Sequence, residues 1–96
     1  MTNYRRGYAL ELRAKKELEI AGYYVMRSSG SHGACDLIAL NQEEIRLIQV
    51  GTAGSKRPVD YEKLRRVPAP GKVFREMWLW TARLGWTVEM VAPQSP

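Results

Sequence analysis

The chain has 96 residues, 45% of them hydrophobic, and it carries a formal charge of +5 with a pI near 9.7. This length predicts one domain over residues 1–96, and the hydrophobic fraction excludes a wholly disordered chain. No run of about 18 apolar residues is present, so no membrane span is expected. The N-terminal residues lack the apolar segment of a signal peptide.

The net charge indicates the kind of binding partner, and the number of cysteines indicates the cellular compartment. A basic chain favours a polyanionic partner, and nucleic acid is the commonest one. A basic interaction protein with no nucleic-acid role has the same composition and stays an alternative. The single cysteine, Cys35, cannot form an intrachain disulfide, which fits a reducing cytoplasm, or the host cytoplasm if the chain is phage-encoded.

The opening segment has the periodicity of an amphipathic helix. Its apolar residues recur at helical spacing at Leu10, Ala14, Leu18 and Ala21. The pattern predicts a helix over residues 6–21, and Gly22 follows in the usual C′ position. Glu11 lies at the edge of the apolar stripe, where a surface carboxylate and a ligand are about equally expected.

Three strands are predicted next. The β-rich residues 23–27 form the first, and a polar loop covers residues 28–33. Residues 36–40 and 45–50 then predict two antiparallel strands joined by a four-residue turn.

The register of this hairpin predicts a polar site. If Leu40 opposes Ile45, then Asp36 opposes Gln49 on the same face, and alternation places Gly51 there too. A carboxylate and an amide that meet in this way can bind Mg²⁺, because hard cations prefer oxygen ligands. An Asp that only accepts hydrogen bonds from loop amides would give the same pattern.

The remaining chain is basic and then apolar. Asp60 predicts the start of a short helix that ends at Arg66. Residues at helical spacing, Val73, Met77, Trp80 and Leu84, predict a second long helix that begins near Pro70 and ends at Gly85, before a final strand over residues 86–91. Because Trp78 and Trp80 fall in this helical stripe, they are assigned to core and dimer surface rather than to base stacking.

Several motifs together resemble the archaeal-type Holliday junction resolvases over roughly residues 5–52. The motifs are Arg6-Gly7 followed by Glu11, the run 22–28, Gly30-Ser31, the run 36–39, and Ile48-Gln49-Val50. The resemblance implies the α/β restriction-endonuclease-like PD-(D/E)xK fold, a central mixed sheet flanked by helices, in a phage or archaeal member of the group. It also implies a homodimer that cuts four-way DNA junctions with Mg²⁺, for which Mn²⁺ can substitute.

The resemblance also assigns roles by position. Glu11 and Asp36 resemble the metal-binding acids, Gln49 stands where the family usually has Glu, and the Val50 carbonyl would complete the metal shell. Ser31 resembles a loop serine that assists catalysis. The basic residues on both sides of the proposed site could neutralise DNA phosphates by their charge alone, so the expected DNA contacts are Arg5, Arg6, Arg27, Ser31, His32, Lys56, Arg57, Arg65 and Arg66.

Gly51 departs from the family, which has its catalytic lysine at this position. Losing a preorganised charge of this kind typically costs ~10²–10³ in rate. Lys56 or Arg57 could reach in from the following loop. We therefore expect a junction-binding endonuclease that is impaired or inactive. The alternatives are a flap- or fork-specific nuclease of the same fold and a non-catalytic protein that binds branched DNA.

Overall fold

A five-stranded sheet between two helices forms the protein in the computed structural model, which describes residues 3–28, 33–54 and 58–94, and the side chains from residue 7 onward. The elements in chain order are α1 Asn3–Ile20, β1 Tyr24–Arg27, β2 Leu37–Leu40, β3 Ile45–Thr52, α2 Pro58–Arg66, β4 Val73–Thr81 and β5 Gly85–Val91. Neither of these helices is both long and apolar enough to cross a membrane.

The strands lie side by side in chain order, β1-β2-β3-β4-β5. Every neighbouring pair is antiparallel except β3 and β4, which run parallel. A parallel pair needs a crossover connection, and α2 lies within this one. The carboxyl ends of β3 and β4, just after Gly51 and Leu79, therefore lie next to each other at the same end of the sheet.

Each face of the sheet packs against one helix. The core under α1 joins Ala14 and Leu18 to sheet residues Leu37, Ile48 and Trp78. The core under α2 joins Leu64 to sheet residues on the opposite face, which are Leu47, Met77, Leu79 and Val91. Neighbouring strand residues thus enter different cores, as the period-two alternation of strand side chains requires.

The predicted end of the first helix is confirmed at Gly22. This residue has a φ of 100°, which favours glycine because it has no Cβ. Its N–H donates to the Glu19 carbonyl at 3.0 Å, and the Tyr23 N–H donates to the Leu18 carbonyl at 3.0 Å. These two bonds form a Schellman motif, which satisfies carbonyls left free at the helix end.

The predicted hairpin register is also confirmed, with Leu40 opposite Ile45 in the β2–β3 ladder. The ladder ends one pair before the site, however, at Leu37 opposite Ile48. The predicted direct pairing of Asp36 with Gln49 is therefore replaced by other contacts, described below.

The second long helix was predicted wrongly. Residues 73–81 form β4, a central strand between β3 and β5, and Gly85 ends the turn that leads into β5. Five successive residues, 75–79, are buried. A strand covered on both faces shows a near-continuous apolar run instead of alternation, and such a run also contains helix-spaced apolar residues.

Two charged residues of β4 are buried on opposite faces. Glu76, 2% exposed, accepts a hydrogen bond from Trp78 Nε1 at 2.8 Å, and its Oε2 lies 3.2 Å from Arg46 Nε of β3. On the other face, Arg75 Nε donates to the Leu64 carbonyl at 2.9 Å, and its Nη2 donates to the Val67 carbonyl. Arg75 therefore satisfies carbonyls at the C-terminal end of α2, which lack partners within the helix.

We expect Arg75→Met to lower the free energy of unfolding by about 2 kcal/mol or more, because it removes a buried charged donor from the Leu64 and Val67 carbonyls, although the Leu64 carbonyl retains the 3.3 Å hydrogen bond from the Val67 N–H. Arg65→Met is the matched control, since Arg65 is an exposed α2 residue paired only with Glu62 at the surface, and it should cost less than about 1 kcal/mol. Urea denaturation of both variants measures the difference, and equal losses would contradict the assigned role of Arg75.

Candidate active site

Asp36 is attached to β3 by two hydrogen bonds. Its backbone N–H donates to the Ile48 carbonyl at 2.8 Å, and its side-chain Oδ2 accepts a hydrogen bond from the Val50 N–H at 2.9 Å. The two partners flank Gln49 in sequence. These bonds place Asp36 beside the stretch of β3 backbone that carries Gln49, and the predicted convergence of the Asp36 and Gln49 side chains stays a prediction.

Glu11 reaches this region from α1. Its Oε1 accepts a hydrogen bond from Arg27 Nε at 2.8 Å, and its side chain is only 17% exposed. Burial raises the pKa of Glu11 above its usual value, the negative charge of Asp36 raises it further, and Arg27 acts in the opposite direction. Burial is therefore the main reason why Glu11 holds its proton more tightly, and the charge of Asp36 adds to this effect.

Arg27 is the residue of this site whose contacts the sequence did not predict. Besides bonding Glu11, its guanidinium carbon lies 4.4 Å from the centre of the Tyr8 ring. A signal was available, because Tyr8 and Glu11 are three residues apart on one helix and so share a face. The predicted contact of Arg27 with DNA stays a prediction, and its contacts in the structure hold Glu11 in place.

Gly51 follows Gln49 on the same face of β3 and lies opposite Leu79 in the ladder. A Cβ at position 51 would have Leu79 Cδ2 as its nearest neighbour, at an ordinary contact distance of 3.9 Å, and the backbone there is not in the positive-φ region. Neither space nor conformation therefore requires glycine at this position.

The oxygen donors predicted for a cation here carry little negative charge, and their convergence on one ion stays a prediction. Within the described ranges, no group of three or more His, Cys, Asp or Glu residues could hold a metal ion. The available donors are the carboxylates of Glu11 and Asp36 with the neutral Gln49 amide and Val50 carbonyl. Burial and the charge of Asp36 both raise the pKa of Glu11, and a divalent cation would relieve such an unfavourable setting for negative charge, while Arg27 already offsets part of it.

The remaining predicted contacts lie at the margins or outside the described part of the chain. Arg65 and Arg66 are exposed on α2, where Glu62 lies 3.1 Å and 3.8 Å from them, respectively. Arg5 and Arg6 belong to α1, but their side chains are outside the described residues, and so are Ser31, His32, Lys56 and Arg57 as a whole. Their roles stay predictions.

Comparison with known proteins adds information on the fold. No model of a known protein family matches the chain. Among solved structures, it is similar to the 1.6 Å structure of Hjc from Archaeoglobus fulgidus, a Holliday junction resolvase from an archaeal hyperthermophile. The TM-score is 0.76 at 21% sequence identity, over 90% of this chain and 73% of that one. The predicted α/β restriction-endonuclease-like fold, with its mixed sheet and flanking helices, is confirmed.

We expect Glu11→Gln to become more stable relative to the wild type as pH rises. Because the folded protein binds the Glu11 proton more tightly than the unfolded chain, wild-type stability falls as pH rises from the ordinary value of 4.5 through the raised pKa, and glutamine lacks this loss. Thermal melts at pH 4 and pH 7 measure the effect, with exposed Glu43→Gln as the control. If Arg27 outweighed burial and Asp36, the pKa of Glu11 would be lowered, and Glu11→Gln would become less stable relative to the wild type as pH rises.

Proposed function

We propose that this protein binds four-way DNA junctions as a homodimer, through a site built for Mg²⁺-dependent phosphodiester hydrolysis, and that Gly51 impairs the hydrolytic step. The observation that carries the proposal is the 2.9 Å bond between the Val50 N–H and Asp36 Oδ2, with Glu11 in electrostatic range. The restriction-endonuclease-like fold supports it, and the solved structure of similar fold is a Holliday junction resolvase.

Each residue of the site would have a separate role in metal binding or catalysis. Asp36, oriented by the Val50 N–H, and Gln49 would bind the ion together with the Val50 carbonyl. Glu11, oriented by Arg27, would hold the outer side of the site. A bound Mg²⁺ supplies Lewis-acid polarisation of the phosphodiester and a lower pKa for its water. Ser31 would assist from the preceding loop, as the family resemblance implies.

Gly51 separates binding from cleavage in this proposal. The lysine expected at this position would stabilise charge that develops on the phosphate, and its absence should cost ~10²–10³ in rate. Binding depends instead on cations that neutralise phosphates along the DNA. The net charge of +5 and the exposed guanidinium groups of Arg65 and Arg66 support such binding.

The homodimer follows from the geometry of the substrate. A four-way junction has approximate two-fold symmetry, and a two-fold dimer presents two equivalent sites to it. One chain carries one copy of the Glu11–Asp36 site, so paired cuts on opposed strands would require the second copy.

The proposal predicts that Gly51→Lys restores Mg²⁺-dependent nicking of four-way junctions, by ~10²-fold or more over the wild type. A Cβ at this position would meet Leu79 only at an ordinary contact distance of 3.9 Å, so the substitution can begin without a clash at the backbone. Gly51→Met is the matched control, since it adds a chain of similar length without the charge. Gel assays of nicking measure the rates.

The outcomes of this assay separate the alternatives. If Gly51→Lys cuts only in the presence of Asp36, the nuclease lineage is supported. If neither the wild type nor Gly51→Lys cuts while both bind junctions, the protein is a non-catalytic binder of branched DNA. If binding is absent or insensitive to salt, the protein is a basic interaction protein without a role on DNA.

Asp36→Asn should abolish the heat of Mn²⁺ or Mg²⁺ binding in calorimetry, because it removes one of two anionic ligands. The fold should persist, since the asparagine oxygen can still accept the Val50 hydrogen bond. Exposed Glu43→Gln removes one negative charge elsewhere and serves as the control. Unchanged metal affinity in Asp36→Asn would count against the site.

A further inference from the structure

A cleft of about 500 Å³ lies on the α1 side of the sheet, beside the proposed active site. Its walls include Leu10 and Arg13 of α1, Thr52 at the end of β3, and Trp80 and Thr81 at the end of β4. The cleft is adjacent to the site along two elements, because Leu10 precedes Glu11 and Thr52 follows Gly51.

Trp80 lines this cleft, and its ring packs against a neighbouring tryptophan. Its ring makes an edge contact with Trp86, with centroids 5.1 Å apart and planes at 65°. Trp86 makes a similar contact with Trp78, which is 7% exposed and belongs to the core. Because residues 78 and 80 lie on a strand, they share a face, but only Trp80 lines the cleft.

The cation beside the ring makes the cleft complementary to an anionic ligand with a flat aromatic group. The guanidinium carbon of exposed Arg13 lies 4.4 Å from the centre of the Trp80 ring. Among the described residues that line the cleft, Arg13 is the only charged one, and the Thr52 and Thr81 side chains add hydroxyl groups. Aromatic rings and arginine cations together are the elements that bind single-stranded nucleic acid.

We propose that this cleft binds an unpaired nucleobase of a DNA strand that leaves the branch point, stacked on Trp80, with Arg13 released from the ring to the adjoining phosphate. The inference deepens the proposed function and rests on it. The exchange is favourable because an exposed cation–π contact is weaker than the stacking of a base on an aromatic ring.

The distance between the two sites suits one continuous strand. Glu11 contacts Arg27 of β1, whereas Arg13 contacts Trp80 of β4, so the two side chains leave opposite flanks of α1. A helix with its side chains is about 10 Å across. About three stacked nucleotides, at roughly 3.4 Å each, span that width.

This occupant implies a substrate class. A fully paired four-way junction has no unpaired base for the cleft, whereas a fork or a flap has a free single strand. We therefore infer that the protein binds forked DNA with single-stranded arms through an additional contact that a paired junction lacks.

The test compares two DNAs at one salt concentration by fluorescence anisotropy. We expect Trp80→Ala to weaken binding to a fork with single-stranded arms by roughly 5- to 100-fold, the range that corresponds to about 1–3 kcal/mol per stacked base. Binding to a fully paired four-way junction should change less than about two-fold. Trp80→Phe should recover most of the loss, and Tyr24→Ala, at an aromatic residue 65% exposed on edge strand β1, is the matched control.

A second measurement removes the base instead of the tryptophan. An abasic nucleotide placed about three positions from the branch should weaken binding of the wild type but have no further effect on Trp80→Ala. Circular dichroism melts identify any unfolding of Trp80→Ala, in which case Trp80→Phe, Arg13→Ala and the abasic fork decide the outcome.

Four results would overturn this inference. Equal losses on both DNAs would make Trp80 a general contact, and no loss on either would leave the cleft without a role. Dissociation of a dimer by Trp80→Ala in sedimentation would mean that a second copy covers the cleft. If the wild type binds neither branched DNA better than a linear duplex, the proposed function fails as well.

Discussion

The candidate site depends on the bond between the Asp36 carboxylate and the Val50 N–H, which attaches the residue before β2 to the end of β3. The β2–β3 ladder stops at Leu37, so this bond, with the backbone bond from the Asp36 N–H to the Ile48 carbonyl, holds Asp36 against β3 beyond the end of the ladder. The carboxylate therefore lies beside the stretch of β3 that carries Gln49 and within electrostatic range of Glu11. Asp36 Oδ2, which accepts the Val50 hydrogen bond, belongs to the carboxylate that is also a candidate metal ligand. One side chain therefore both fixes the local geometry and supplies a possible ligand.

The rest of the molecule positions the partners of this bond. Packing of Ala14 and Leu18 against Leu37 and Ile48 sets α1 over the hairpin, and this places Glu11 near Asp36. The pKa of Glu11 is raised mainly because the fold buries this carboxyl group, and the negative charge of Asp36 adds to the unfavourable setting. Natural sites often retain such locally unfavourable arrangements where a ligand relieves them.

Local periodicity predicted the parts of the fold in which one face is buried. The α1 stripe, the Gly22 helix end and the hairpin register were all predicted, because alternation and turn chemistry are local properties. The strand β4 was missed, since a strand buried on both faces loses its alternation and the sequence cannot show what covers it. Base stacking at Trp80 was excluded because the residue was assigned to a buried helix. Since Trp80 lies on a strand instead, that reason no longer holds, and only the structure shows that Arg13 lies over its ring. The Arg27–Glu11 bond joins two elements, so the helical spacing of Tyr8 and Glu11 shows that they share a face but does not show which residue of β1 contacts them.

The buried pair of Glu76 and Arg46 has a consequence for how the chain reaches its final topology. The parallel β3–β4 pairing joins segments distant in sequence, and such pairings are typically slow to form. A shift of β4 by one residue along β3 would move Glu76 into the opposite apolar core, away from its cation. An unpaired buried charge is strongly unfavourable, so the misaligned sheet would be far less stable than the correct one. This ion pair thus selects among alternative strand alignments during folding, a task that interchangeable aliphatic side chains perform poorly.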